Sequence, residues 1–480
     1  MKNKFKLLSL LFIPLAIVSC DDEINNLEPF INGSPDTFFN SVASFQNGVD
    51  GIYSQFFNYY SPNEGYQGVP DILADNVILA STGRRSNQQL YDWEYTPNSY
   101  TPSLYWSEAY EAVNDANLII GQIDNLADSP DKDNILGQAL AARAIAHFDL
   151  VRLFGKIPTQ SADAGSSLGI VYMKVEDGDT GDPLATPARE TVASNYVEII
   201  GDLEAAGGII GTSNNEGRLD RDAVYGMLSR VYLYNGDYQK VIDAANEVSK
   251  PLATADQLPG LYQDVNDAGL LIQWAVNTSS ESRFNNVGVI YSQTTVPDTK
   301  SEYVVDYEFI NSVDTTDARL DVLTYVGSIA GNDYNAVKKF LGEPGQVNGL
   351  VDIKVLRVAE VVLNKAEAQF RLGMEGEALA TLNELRDVRY SSYTGGESGQ
   401  NLLDAILYNR RVELAFEGAR FFDIKRLGES IVRSNNGDII DGSGQPPRKL
   451  ILAAGDYHFQ YPIPQDEINA NPNMEQNPGY

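Results

Sequence analysis

Apolar residues recur at helical spacing over several long segments of the chain, separated by stretches without any such period. The segment 103–124 places Trp106 and Tyr110 near one face of a predicted helix. Residues 135–155 are rich in alanine, carry larger apolar residues toward their end, and stop at Gly155. Further helices are predicted over 221–249, 353–389 and about 401–418. The pattern predicts a mainly α protein.

Two of these segments share a plan of helix, tight turn and second helix. Gly236 lies at the turn of 221–249, and Gly373 lies at the turn of 353–389. Small residues at a helix crossing, with large residues beside them, let two antiparallel helices pack closely. The plan resembles tetratricopeptide-type repeats, whose paired helices stack to bury a shared core. We place helical repeats within about 103–155, 187–250 and 353–420.

Between the helices the composition changes to Gly, Pro, Asn, Ser, Thr and Tyr. The longest such region contains two short β-like runs, 270–276 and 287–293. Long irregular insertions on a helical scaffold are where binding sites tend to lie. We therefore expect the ligand loops within about 61–102 and 251–350.

The N-terminus has the pattern of a signal peptide. Three lysines among the first six residues precede a short apolar stretch, which is too short to span a bilayer. Ser19 then precedes Cys20, and "IVSC" resembles a bacterial lipobox, in which the cysteine is lipidated. An ordinary signal peptide with an incidental cysteine is the alternative. We predict a signal peptide over 1–19, a lipidated Cys20 with a tether to residue 35, and one domain over 36–480.

The composition excludes several classes of partner. The 480 residues are 43% hydrophobic, which suffices for a large core, and carry a net charge of −31. Such a surface repels nucleic-acid phosphates and anionic membrane faces, and it argues against a polyanionic ligand. The chain has one cysteine and two histidines, so a disulfide within the chain and a Cys-based zinc site are both excluded. We predict no cofactor and no metal.

Glu413 and Glu417 are the residue pair that could suggest catalysis. They lie four apart on a predicted helix, among several Lys and Arg residues. Paired carboxylates can act as the acid and base of a glycosidase. The spacing beside cations is, however, typical of a structural ion-pair network, which is our prediction. The catalytic alternative requires both carboxylates in a cleft, with the pKa of one of them raised.

Neither histidine indicates a metal site. His147 lies among Ala, Phe and Leu and is predicted to be a hydrogen-bonded core residue, whereas His458 has no evident acidic or His partner in the sequence. The segment 435–444 has oxygen ligands that calcium could use, but it lacks the spacing of an EF-hand loop. We predict a flexible turn there.

Four longer stretches carry a further signal, namely "ALAARAIAHFDLVRLFGKIP" (139–158), "RVAEVVLNKAEAQFRLG" (357–373), "RRVELAFEGARFFDIKR" (410–426) and "YPIPQDEINANPNMEQNPGY" (461–480). Together they resemble the SusD/RagB family of surface nutrient-binding lipoproteins of Bacteroidetes. Their order and position fit, the chain ends just after "QNPGY", and the resemblance spans essentially the whole chain.

The resemblance implies a fold, a location and a role. The fold would be a helical scaffold of about four tetratricopeptide-like units. The protein would be anchored in the outer membrane through Cys20, and Asp21, Asp22 and Glu23 resemble an acidic signal for export to the cell surface. It would act as a lid on a SusC-like TonB-dependent transporter, capturing oligosaccharides without catalysis. A peptide-binding lid of a RagAB-like importer is the alternative, and a purely structural adaptor leaves the aromatic loops unexplained.

Sugar binding needs flat apolar rings that stack on pyranoses, together with planar polar side chains for the hydroxyls. Trp106 lies in a periodic helix and is predicted to be core. Trp93 lies in an aromatic loop rich in Asn, Gln and Arg, and Trp274 either is half buried in a strand or faces a cleft. We predict Trp93 and Trp274 as stacking platforms for a neutral glycan, with a β-glucan such as laminarin as one candidate. The predicted polar partners are Arg84, Tyr95, Asp75 and Tyr291.

Overall fold

The computed structural model describes residues 35–60, 65, 67–80, 86–175, 185–276, 288–291, 301–329, 332–342, 351–434 and 447–480. Its helices are α1 Pro35–Phe38, α2 Val42–Tyr60, α3 Val69–Leu73, α4 Gln88–Tyr91, α5 Tyr100–Gln122, α6 Pro130–Phe154, α7 Val192–Ile209, α8 Arg221–Asn235, α9 Tyr238–Glu247, α10 Leu258–Leu261, α11 Gly288–Tyr291, α12 Tyr307–Ser312, α13 Leu320–Leu323, α14 Val358–Arg371, α15 Glu375–Asp387, α16 Gln400–Glu413, α17 Arg420–Arg426 and α18 Gln465–Ala470. Its strands are β1 Val77–Leu79, β2 Leu270–Trp274, β3 Tyr303–Val305, β4 Thr324–Ile329, β5 Asn332–Val337, β6 Ile353–Arg357, β7 Ile431–Val432 and β8 Ile451–Leu452.

Some of the predicted features lie outside the described residues. They are the signal peptide, Cys20, the acids Asp21 to Glu23, Arg84 and the segment 435–444.

The long helices pack side by side in one array. α2 packs on α5, α5 on α6, α6 on α7 and α7 on α8, and the array continues through α9 to α14, which carries α15 and α16. In the described part of the chain, the helices therefore form four successive pairs, and the prediction of a mainly α fold is confirmed. No helix among the described residues is long and apolar enough to cross a membrane.

Local sequence signals explain where these helices begin and end. α6 begins behind Ser129, whose side chain accepts a hydrogen bond from the backbone of Lys132, and α8 begins behind Asp220 in the same way. The two predicted turns between paired helices fall at Gly236 (φ +87°) and Gly373 (φ +78°). Glycine adopts this left-handed conformation without the steric cost of a Cβ atom. Each turn lets the second helix fold back on the first.

The strands are two to six residues long and pair in two-stranded antiparallel sheets, which connect the irregular regions to the helices. β1 pairs with β3 and β4 pairs with β5, whereas β2 pairs with β6, which leads directly into α14. The predicted β-like run at 270–276 is realised as β2. The second predicted run, at 287–293, is wrong in its described part, because Gly288–Tyr291 is a short helix. A short apolar run does not by itself distinguish a strand from a buried helical turn.

The main apolar core fills the helical array, and a second cluster lies beneath the short strands. Phe56, Phe148 and Tyr196 are fully buried in the main core. Tyr291 and Phe416 are fully buried in the second cluster, together with residues of β1 and β3. The regions predicted as ligand loops thus contribute their own packed layer to the fold.

Candidate functional site

Glu413, the last residue of α16, accepts hydrogen bonds from three guanidinium groups. Its carboxylate oxygens lie 2.8 Å from Arg357, 3.0 Å from Arg389 and 3.1 Å from Arg319, and all four side chains are buried. Burial alone would raise the pKa of Glu413. Arg389, Arg357 and Arg319 outweigh that effect and hold the pKa well below its usual range. Glu413 is therefore a structural anion that is charged at neutral pH.

Glu417 belongs to the same buried network. It accepts from Arg357 at 2.9 Å, from Lys339 at 2.6 Å and from the Tyr262 hydroxyl at 2.8 Å. Burial acts to raise its pKa, but Arg357 and Lys339 lower it overall. The geometry agrees with the predicted structural ion-pair network, and neither carboxyl meets the raised-pKa condition for the acid of a glycosidase. The cationic partners of Glu413 and Glu417 come from distant segments of the chain. Arg410, which is close to both in the sequence, pairs with Asp423.

Trp93 does not present a ring face to solvent. It is 0% exposed, its indole N–H donates to the Leu73 carbonyl at 2.9 Å, and the Arg433 guanidinium lies 3.9 Å from its ring centre. Its backbone is also left-handed, with φ of +51°. The prediction that Trp93 stacks on a sugar disagrees with this burial. The polar composition of its loop reflects the hydrogen bonds that fix the loop on the core.

Trp274 is buried on the inner face of β2. It is 2% exposed, and its ring stacks on Phe56 with centroids 4.7 Å apart and tilts against Tyr53. The sequence left two alternatives open for Trp274, a half-buried strand residue or a platform that faces a cleft. The structure shows a strand residue that packs inward. Side chains alternate along a strand, so the neighbour Gln273 lies on the opposite side.

Two predicted polar partners also have structural contacts. Asp75 is bound by Arg420 at 2.7 Å, with Arg411 at 3.4 Å. Burial acts to raise the pKa of Asp75, but these two cations lower it overall. The Tyr291 hydroxyl donates to the carbonyl of Gly68 at 2.8 Å. Both contacts tie the loop layer to the scaffold and leave neither side chain exposed, in disagreement with their predicted role as ligand partners.

The predicted partner Tyr95 is likewise buried, against the C-terminal segment. Its hydroxyl donates to the backbone carbonyl of His458, and its ring meets that of Tyr461 edge-on at 4.9 Å. His458 does have an acidic partner, because its Nδ1 lies 2.7 Å from a carboxylate oxygen of Asp456. The expectation of a partnerless His458 is therefore wrong, and the partner is only two residues away.

His147 is a hydrogen-bonded core residue, as the sequence predicts. Its Nδ1 lies 3.0 Å from the Arg143 carbonyl, and its Nε2 accepts from the backbone N–H of Met173 at 3.1 Å. Burial, helped by the charge of Arg143, lowers the pKa of His147 to about 3. No group of His, Cys, Asp and Glu within the described ranges is arranged to hold a metal ion.

An open cleft of about 560 Å³, here called the polar cleft, lies between α8 and β2. It is formed by residues 212–218, Asp220, Asp222, 249–250, 264–267, 270–271, Gln273 and Asp352. Six carboxylates and two cations line it, so its formal charge is 2 − 6 = −4. The carboxylates are Glu216, Asp220, Asp222, Asp264, Asp267 and Asp352, and the cations are Arg218 and Lys250. Six of the eleven other lining residues are asparagine, serine or threonine.

Asp222, which lines the polar cleft, links two helices beside it. Asp222 accepts hydrogen bonds from the backbone N–H groups of Ser249 and Lys250 at 3.1 and 2.9 Å, which fixes the end of α9 against the start of α8. Asn215 and Asp267 are exposed, and within the described chain the structure gives neither side chain a hydrogen-bond partner. Their polar atoms are available to a ligand.

One wall of the polar cleft lies in a region that was predicted to bind ligand, and the other wall does not. Residues 264–273 belong to the predicted ligand region 251–350. The residue of β2 that lines the cleft is Gln273, whereas the predicted ligand residue was its neighbour Trp274. The opposite wall, 212–220, lies inside a segment predicted as helical repeat. Its sequence, "TSNNEGRLD", is a cluster of turn-forming residues that marks a loop, so a closer reading of composition could have found it.

Asp352, at the base of the polar cleft, has a perturbed carboxyl. It accepts from the backbone N–H of Val276 at 2.8 Å. Burial, with some repulsion from Asp264, raises the pKa of Asp352 to about 6. Between pH 3.8 and about 6 the unfolded chain loses this proton while the folded chain keeps it. The free energy of unfolding contributed by Asp352 therefore falls as pH rises through that window.

Replacing Asp352 by asparagine is expected to stabilise the fold at pH 7.5 by about 1 kcal/mol, because the amide still accepts the Val276 hydrogen bond but carries no charge. Urea unfolding of both proteins at pH 7.5 and pH 4.5 measures the effect. The gain should shrink at pH 4.5, where folded Asp352 is protonated. An equal difference between the proteins at both pH values would show that ionisation of Asp352 is not its cause.

Stacked helix pairs that carry an open, polar, acidic cleft define a helical-repeat scaffold built around a recognition surface. The SusD family model matches residues 277–480, and a second model, described as starch-binding associating with outer membrane, matches residues 29–233. The chain belongs to the SusD/RagB family.

Individual relatives agree with this assignment. The chain is 26% identical to SusD-like protein P2 of Formosa agariphila, with 100% of both chains covered. It is 36% identical to the starch-binding protein SusD of Bacteroides thetaiotaomicron over 130 residues, which are 27% of this chain and 22% of that protein. A crystal structure of a SusD superfamily protein from the same organism matches with a TM-score of 0.79 and 28% identity, covering 91% of this chain and 100% of that one.

Proposed function

We propose that the protein captures a neutral oligosaccharide or polysaccharide at the cell surface and holds it in the polar cleft. The cleft itself is the observation that carries this proposal. Its amide, hydroxyl and carboxylate groups can each bond to sugar hydroxyls, and Asn215 and Asp267 are exposed there. Its formal charge of −4, the balance of two cations and six carboxylates, favours neutral glycans over uronates or sulfated polymers.

The relatives support the same function and its location. One matching family model is described as starch-binding and associating with outer membrane, and one relative is a starch-binding protein. In this proposal a lipid on Cys20 anchors the protein in the outer membrane, and Asp21 to Glu23 direct it to the outer face. The protein then delivers its glycan to a SusC-like TonB-dependent transporter.

Affinity gel electrophoresis tests which class of polysaccharide the protein binds. The mature protein is run through native gels containing a neutral β-glucan such as laminarin, starch, a polyuronate or a sulfated polysaccharide. Retardation is expected in at least one neutral glycan and in neither anionic one. Retardation only in an anionic glycan would overturn the charge argument. Peptide binding without retardation in any glycan would replace the proposal with a peptide-importing lid.

The polar cleft is tested by the double variant Asn215→Ala, Asp267→Ala. It should bind the retarding glycan about tenfold more weakly, because two direct hydrogen bonds are lost, one of them to a charged group. Isothermal titration calorimetry measures the affinity, and thermal unfolding establishes that the variant is folded. The matched control is Asn114→Ala, which removes an exposed amide on α5. Unchanged affinity in the folded double variant would place the glycan elsewhere.

A further inference from the structure

A second cleft of about 540 Å³, here called the aromatic cleft, lies between α5 and α18. Its walls are chiefly apolar and are formed by Trp106, Tyr110, Val171, Met173, Pro187 and Met474. Met173 is 38% exposed, so part of this apolar wall is open to solvent. An apolar cleft of this volume is of the size that binds small organic groups.

Glu467 is the carboxylate that lines the aromatic cleft. It is half buried and lies beside the indole of Trp106, which acts to lower the pKa of Glu467. Burial raises the pKa of Glu467, and the neighbouring charge of Asp466 adds to the effect. Within the described residues, Glu467 forms no ion pair. Its carboxylate therefore faces an apolar cleft without a counter-charge.

A nearby cation does not neutralise Glu467. Arg189 lies close enough to Tyr110 to affect its pKa, but its guanidinium donates to backbone carbonyls, including those of Gly169 at 2.7 Å and Glu475 at 2.9 Å. An unneutralised carboxylate beside apolar walls is complementary to a positive group on an aliphatic stem. The net charge of −31 over the whole chain attracts basic partners to the protein.

We propose that the aromatic cleft binds an arginine or lysine side chain presented by a peptide segment of a partner protein. The aliphatic stem lies along Met173, Met474 and Pro187, and the cationic head bonds to Glu467. The cleft is larger than one side chain, so neighbouring residues of the segment also enter. A sugar fits less well, because few polar groups line the cleft and the ring of Trp106 already packs on Tyr110 and Phe154, each at 4.9 Å.

Isothermal titration of the mature protein with acetyl-Leu-Arg-Leu-amide and acetyl-Leu-Gln-Leu-amide tests this site. The arginine peptide should bind at least tenfold more tightly than its glutamine counterpart. Glu467→Gln should remove that preference, because the charge is lost while the shape is kept. Glu377→Gln, which neutralises an exposed acid on α15, should retain it.

A second variant guards against a folding defect in Glu467→Gln. Met173→Ser changes an exposed wall of the cleft and should weaken both peptides severalfold. Equal binding of the two peptides would overturn the proposal, and so would binding of glucosamine oligosaccharides at the cleft without peptide binding. The double variant Asn215→Ala, Asp267→Ala should leave peptide affinity unchanged. The test therefore stands apart from the proposed glycan function.

Discussion

Replacing Glu413 by glutamine is expected to lower the free energy of unfolding by about 3–5 kcal/mol, since the change removes the shared anion of a buried ion-pair network. Arg319, Arg357 and Arg389 all donate to this one carboxylate and are themselves buried. A neutral amide offers one acceptor oxygen and no charge, so Arg389 loses its carboxylate partner, whereas Arg319 keeps Asp317 and Arg357 keeps Glu417. Guanidinium chloride unfolding at pH 7.5 measures the loss.

The matched control for this variant is Glu198→Gln. Glu198 pairs with Lys174 at 2.8 Å, but both side chains are more than one third exposed. Water solvates both charges there, so the control should lose no more than about 1 kcal/mol. Comparable losses in the two variants would contradict the stabilising role of the buried network.

The pH dependence gives the Glu413 prediction a second readout. The pKa of Glu413 is lowered well below its ordinary 4.5, so the stabilisation is present above that value and is lost as pH falls toward the folded pKa. The wild-type protein should therefore lose stability between pH 5 and pH 3 more steeply than Glu413→Gln. Parallel pH profiles for the two proteins would show that Glu413 is not the titrating group.

This network shows what helical spacing can and cannot predict. The four-residue spacing of Glu413 and Glu417 beside cations correctly indicated ion pairing. It did not identify the partners, because Arg319 and Arg357 come from segments far away in the sequence. Spacing describes one helix face, whereas the partners are set by how distant elements pack together. The helix pairs themselves were predictable, because the turns at Gly236 and Gly373 are local signals.

The candidate site was less predictable for a related reason. The sequence correctly placed strand residues at 270–276, but it could not tell which face of β2 meets the core. Trp274 packs inward on Phe56, and Gln273 lines the polar cleft. A strand alternates its side chains, so an error of one residue exchanges a core position for a cleft position. Loop composition was also ambiguous, because polar residues can form hydrogen bonds within a buried loop as well as to a ligand.

Trp93 is the clearest case of that ambiguity, and Trp93→Ala is expected to lower the free energy of unfolding by about 3–5 kcal/mol. The ring is 0% exposed and its N–H is bonded to Leu73, so its removal leaves a cavity and takes one of two donors from the Leu73 carbonyl, the other being Arg433. Arg433 would also lose the ring against which its guanidinium packs, 3.9 Å from the ring centre. Urea unfolding measures the change, with Tyr100→Ala as the control, since Tyr100 is 66% exposed.

Glycan affinity of the folded Trp93→Ala protein separates a structural from a binding role. A buried ring contacts no ligand, so calorimetry on the folded protein should give an affinity within about twofold of the wild type, a difference below 0.5 kcal/mol. A tenfold loss of affinity with unchanged stability would mean that the ring leaves the core to meet the sugar. That outcome would require the hydrogen bond to Leu73 and the contact with Arg433 to break on binding. Glycan binding would then have to supply the free energy that breaking these two contacts costs. Trp93 would in that case be a binding residue that is exposed only when the ligand is bound, and not a fixed part of the core.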